Sequence, residues 1–175
     1  MKLQVKNVKV NLDFSEETIC FKADIYINGI KSCYASNGGH GGSTDIWHYD
    51  SVGKSLMIQA EDFLSKTPPI VHIYKDETWE EKQTLTTFID DYIDDHVKAM
   101  EHKKFSKKIN KDMEKGIVVS NNNLESYSLV SWKGHMLSDI LRRPDGELVL
   151  KNAINEYKHK GYTIHNTNLP HYLMN

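Results

Sequence analysis

The stretch SNGGHGGSTD, Ser36 to Asp45, sets one histidine between two pairs of glycines. Successive glycines accept positive φ and can turn several backbone N–H groups toward one point, a nest suited to phosphate or carboxylate. His40 adds a side chain that titrates near neutrality and can give or take a proton. The stretch lacks the GxxxxGK[ST] frame of a phosphate loop and the GxGxxG of a dinucleotide fold, and it leads into an aromatic segment instead of a helix. It reads first as a crossing that carries the chain off a sheet, and second as a contact surface for a partner.

Asp45, His48 and Asp50 follow closely and with His40 suggest a metal site, but their spacing matches no ligand pair on a helix or strand. Cys20 and Cys33 are too few and too far apart for a zinc pattern. In DDYIDDH, Asp90/Asp94 and Asp91/Asp95 are i,i+4 pairs of like charge, read as a solvated acidic helix face. Ser131 and His135 in SWKGH come without a GxSxG elbow or an oxyanion hole, and His165, Asn166 and Asn168 in the tail form no catalytic pattern. No catalytic residue, metal or cofactor is assigned.

The lysines carry a different chemistry. Lys98, Lys103, Lys104, Lys107, Lys108, Lys111 and Lys115 crowd one segment. On a helix Lys103/Lys107, Lys104/Lys108 and Lys107/Lys111 stack into a positive stripe of the kind that meets phosphate or an acidic protein surface. Lys103, Lys104, Lys107, Lys108 and Lys111 are therefore the candidate contacts, with His40 as an adaptable neighbour and Trp47 as an aromatic anchor. Phe105, inside the run, reads as core.

The elements that must position these groups follow from periodicity. Val8, Val10, Leu12 and Phe14 alternate with polar residues, as do Ile19, Phe21, Ala23, Ile25 and Ile27; each set predicts a half-buried strand. Asn28-Gly29 between apolar residues predicts a type I′ hairpin, with Ile27 opposing Ile30, Ile25 opposing Ser32, Ala23 opposing Tyr34 and Cys33 opposing Asp24. Cys20 then lies four residues from Asp24, roughly 13 Å at the strand rise, too far for a disulfide, so two free thiols are expected. Leu56, Ala60, Phe63 and Leu64 predict a helix stopped before Pro68-Pro69, and IVHIY a short strand or connector. From Thr78 to Lys115 the apolar stripe predicts helix, continuous or broken near Glu101–His102. IVVSN and SYSLVSWKG predict strands, HMLSDILRR a short helix, Asp145 the cap of a helix closed by Gly161, and YTIHNTN a last strand. The predicted fold is a single α+β domain over 1–175: a β-meander and glycine loop (1–50), a mainly helical middle (51–115), and a mixed strand–helix–strand region (116–175).

Across 175 residues the chain is 39% hydrophobic and 26% charged, enough to bury a core without disulfide or metal. A net charge of −2 does not by itself announce a nucleic-acid binder; the segregation of charge matters more. No apolar run is long enough for a bilayer and the N-terminus lacks a signal-peptide block, so a cytoplasmic protein without membrane contact is expected.

SEETICFKADIYINGIK with SNGGHGG and TDIWHYD, and YSLVSWKGHMLSDILRRPDG with the closing HNTNLP, resemble small uncharacterised bacterial proteins carried by prophages and plasmids. The resemblance brings no catalytic residue with it. It implies an inhibitor or binding protein of the anti-CRISPR kind, whose partner is a bacterial protein or ribonucleoprotein such as a CRISPR effector nuclease; the lysine stripe would contact either RNA phosphate or an acidic protein surface of that partner. The alternative is a small enzyme, with or without a metal, whose site lies around the GGHGG loop at His40, Asp45 and His48.

Overall fold

The chain turns back on itself at Asn28 and Gly29, both at positive φ (52° and 86°), as a two-residue hairpin with right-handed strand twist requires. A computed structural model describes residues 1–174. The fold is α+β and gathers into two compact units, Met1–Met100 and Glu101–Asn175.

In the first unit β1 (Leu3–Val10), β2 (Phe21–Ile27), β3 (Ile30–Asn37) and β4 (Asp45–His48) form an antiparallel sheet in chain order. Alternation places Phe21, Ala23, Ile25 and Ile27 of β2 in the core. Against that face pack Ala60 and Leu64 of α1 (Ser51–Leu64) and Leu85, Ile89, Ile93 and Val97 of α2 (Leu85–Lys115). Asp50 caps α1 by accepting the Gly53 N–H at 2.7 Å. Gly53 itself is demanded by packing, because a Cβ there would sit 2.2 Å from the Ser32 carbonyl oxygen.

The hairpin register departs from expectation after its first pairs. Ile27 opposes Ile30, but Ile25 opposes Cys33, Asp24 opposes Tyr34 and Ala23 opposes Ala35. Each partner is one residue later than predicted, because a β-bulge takes up Ser32. The Ser32 hydroxyl donates to the Ile30 carbonyl at 2.9 Å, and its own carbonyl accepts the Tyr49 N–H at 3.0 Å. The bulge turns Cys33 and Ala35 into the core and Tyr34 to the other face; an unbulged strand would have done the reverse. Both cysteines are free thiols.

Three further differences have local causes. β1 spans Leu3–Val10 with Asn7 at positive φ, and Leu12–Phe14 close a 3-10 turn instead of prolonging the strand. Residues 78–81, predicted helical, belong to a hairpin of β5 (Ile70–Tyr74) and β6 (Glu77–Glu81), turned at Lys75 with φ 53°. Every residue of β6 is exposed, so no alternation of burial marks it in the sequence. From Leu85 the helix runs unbroken through Glu101–His102 to Lys115.

The second unit is built on β7 (Gly116–Ser120), buried along its whole length between β8 (Ser128–Ser131) and β9 (Thr163–Ile164). Ile117 and Val119 pack on Leu137 and Ile140 of α3 (Leu137–Leu141) and on Leu150 and Ile154 of α4 (Gly146–His159). Asp145 occupies the N-cap of α4, but its carboxylate pairs with the Arg143 guanidinium and makes no capping bond. Gly161, at φ 81°, follows the end of that helix, and a short α5 (His171–Met174) closes the described chain. Among the described residues no helix is long and apolar enough to cross a membrane.

Candidate functional site

In the second unit, Phe105, Ile109 and Met113 of α2 pack inward beside Val118, Tyr127 and Leu129. At about 100° per residue, Lys103, Lys107, Lys111, Lys104 and Lys108 span about 140° of the helix surface on the opposite side. All five are exposed, and among the described residues none forms an ion pair. No acidic residue interrupts the segment from Lys103 to Lys111. Only Lys108 has a neighbour of note: its ammonium lies 5.7 Å from the centre of the Tyr127 ring.

The flank of this ridge is fixed by Asp112. Its carboxylate accepts a bond from Lys115 Nζ at 2.7 Å and another from the Tyr127 hydroxyl at 2.8 Å. The Lys115 bond, followed by that from Tyr127, holds the Asp112 carboxyl below its ordinary range. Tyr127 is pushed up to about 12, by burial and then by donating to that carboxylate. Lys115 is thereby paired; of the five candidate lysines only Lys108 also acts on the Asp112 charge, from beyond ion-pair distance.

In the first unit, the glycine loop is occupied by its own surroundings. The Gly39 carbonyl accepts the N–H groups of Glu16, Glu17 and Thr18 at 2.9, 3.1 and 3.3 Å. The loop's donors turn inward too: Gly39 N–H goes to Asn37 Oδ1 and Gly41 N–H to the Thr18 hydroxyl. Gly39 has φ 90°, and a Cβ there would stand 2.0 Å from the Phe14 carbonyl oxygen, which only glycine avoids. Two of the N–H groups that a nest would aim at an anion, those of Gly39 and Gly41, are therefore used within the fold, and the loop clamps the turn before β2 to the end of β3.

His40 projects from this clamp, exposed, with Nδ1 3.1 Å from Glu16 Oε2. Asp45 and His48 lie exposed on β4, and among the described residues no three His, Cys, Asp or Glu side chains are grouped to hold a metal ion. Beside the loop, a cleft of about 440 Å³ is lined by Glu16, Glu17, Asp90 and Asp94 with apolar Phe21 and Ile93. Burial, aided by the charges of Asp94 and Asp91, raises the Asp90 carboxyl, and the Thr44 hydroxyl bonding to it at 2.6 Å opposes that rise. Trp47, half exposed on β4, lies nearly parallel to Tyr34 of β3 with ring centres 5.9 Å apart.

Sequence reasoning missed two arrangements. The outer face of the sheet gathers Tyr34 with Lys9 and Lys22; the bulge at Ser32 hid Tyr34, which the unbulged register turns inward. In the second unit the tail polar groups are structural. Asn166 Oδ1 accepts the Val118 N–H at 2.7 Å while its Nδ2 donates to the Gly116 carbonyl at 2.9 Å. His165 Nε2 lies 2.7 Å from the Ser120 hydroxyl, which also accepts the Leu124 N–H, and burial lowers the imidazole's pKa. A polar segment after a two-residue strand gave no periodic signal for this anchoring. No family model, curated protein or solved structure matches the chain.

Proposed function

We propose that this chain is a non-catalytic binding protein that meets an anionic partner through the lysine ridge of α2. The observation that carries the reading is the set of five exposed, unpaired ammonium groups from Lys103 to Lys111, opposite a helix face committed to the core. What sets these lysines apart is their number on one helix face without an intervening acid, whereas Lys115 at the end of the run is paired with Asp112. Held on one helix face, they present an array of like charge to phosphate groups or an acidic protein surface. The resemblance to prophage- and plasmid-borne bacterial proteins supplies the partner class: an RNA-guided nuclease complex, inhibited by occupation of its nucleic-acid path.

The test is charge reversal. K103E/K107E/K111E, at exposed positions, leaves the fold intact and abolishes both binding to the guide-loaded nuclease and inhibition of target cleavage. Wild-type affinity falls with salt along a log–log line whose slope reports the phosphates contacted, about 0.7–0.9 per contact. Unchanged binding by the variant, or a salt-insensitive complex, overturns the reading.

A further inference from the structure

The sheet of the first unit has one face packed by helices and one that is open. On the open face Lys9 of β1 stands directly opposite Lys22 of β2, both exposed. Like charges at opposed positions destabilise a sheet, and among the described residues neither lysine has an acidic partner. They border a groove of about 540 Å³ that Asn7, Asp24 and Tyr34 also line. Tyr34 continues through its cross-strand partner Trp47 into an aromatic pair, with Trp47 51% exposed.

The same face contains two acids. Asp24 is already bound: Asn7 Nδ2, the Tyr49 hydroxyl and Lys31 Nζ all donate to it at 2.6–3.0 Å. Burial works to raise its carboxyl, but those three bonds outweigh it and hold the group below its ordinary range. Asp45 lies at the start of β4, opposite Ser36. Lys6, Lys9, Lys22 and Lys31 leave the face positive overall; Lys31 pairs with Asp24, Lys6 lies 4.4 Å from the centre of the Tyr26 ring, and among the described residues Lys9 and Lys22 have neither kind of partner.

We infer that this open face is a binding site for single-stranded nucleic acid, with a phosphate seated between Lys9 and Lys22 and a base stacked on the Tyr34–Trp47 pair. A phosphate removes the repulsion that the lysine pair carries. Every base has a π face to lay on an aromatic ring, so recognition is tolerant of sequence. Duplex DNA keeps its bases stacked inside and offers phosphates only, so the aromatic pair selects the single strand. The site uses no residue of α2 and stands or falls independently of the lysine ridge.

The experiment is fluorescence anisotropy of labelled 15-mer oligouridylate, oligothymidylate and a matched duplex with the full chain from 50 to 300 mM salt. Both single strands bind, and the duplex binds at least tenfold more weakly. W47A weakens single-strand binding at least fivefold. K9Q/K22Q weakens it at least threefold and flattens the log–log salt slope by about 1.4, the two contacts' share for a single strand. K9Q/K22Q also melts no lower than wild type, since it removes a repulsion and no packing, so the effect of this variant on binding does not depend on how W47A folds. K103E/K107E/K111E keeps the dependence on Trp47. The inference is overturned if no single strand binds at 50 mM salt, if duplex binds equally well, or if K9Q/K22Q binds like wild type.

Discussion

The Thr44 hydroxyl donates a 2.6 Å hydrogen bond to Asp90 Oδ1, tying the end of the glycine loop to the first turns of α2. Asp90 is the one carboxylate of the DDYIDD cluster drawn inward, and its carboxyl is raised by burial and by Asp94 and Asp91. A carboxyl with a raised folded pKa costs stability when ionised. That cost is present above the folded pKa and disappears as pH falls to the ordinary value near 4. Asp90→Asn keeps an acceptor for Thr44 and removes the charge. It should therefore melt higher than wild type at pH 7, by roughly 0.2–0.5 kcal/mol per relieved like-charge pair, with the difference gone by pH 3. Thr44→Val should lose about 1–3 kcal/mol at pH 7. Thermal melts across pH measure both.

Asn166 is the hub of the second unit. Alanine there strands the buried Val118 N–H and a bond to the Gly116 carbonyl, each worth roughly 1–3 kcal/mol. Urea unfolding should show the midpoint falling with the m-value unchanged.

His165 gives that unit an acid-sensitive side. Burial lowers its pKa, so the fold favours the neutral ring. The stabilisation is complete above the unfolded value near 6.5 and is lost as pH falls through the folded pKa. Hydrogen exchange of the β7 amides should accelerate between pH 7 and pH 5 beyond the intrinsic pH effect. In His165→Gln that excess should vanish.

Lys107 has Lys103 and Lys111 one turn away on either side. Lys107→Gln should raise the unfolding free energy by roughly 0.2–0.5 kcal/mol per removed pair while weakening the anionic partner's binding. A variant that stabilises the fold and harms the complex separates a contact residue from a structural one. Chemical denaturation and a binding titration on the same preparation read the two effects.

The α+β class, the first hairpin and the unpaired lysine segment were legible because each rests on local periodicity or turn chemistry. Asn28-Gly29 placed the turn, and the three- and four-residue steps from Leu85 to Met113 placed the long helix. The register beyond Lys31 was not legible. A single bulged serine, fixed by Tyr49 seventeen residues later, exchanges which of Cys33 and Tyr34 faces the core. That exchange also concealed the Tyr34–Trp47 pair. The β6 strand was unreadable for the opposite reason: it buries nothing, so it carries no pattern. His40 showed its exposure only in three dimensions, once Gly39 was seen to use the loop's hydrogen bonds within the fold.

Cys33 sits fully enclosed beneath the sheet, where burial pushes its thiol up to about 11. At neutral pH it is neither ionised nor reachable, so an alkylating reagent must wait for the strands to part. Cys20, only partly covered, reacts on its own schedule. The slower of two labelling rates therefore times the opening of the meander itself, and a ligand clasped across the strands would register as a delay on that clock.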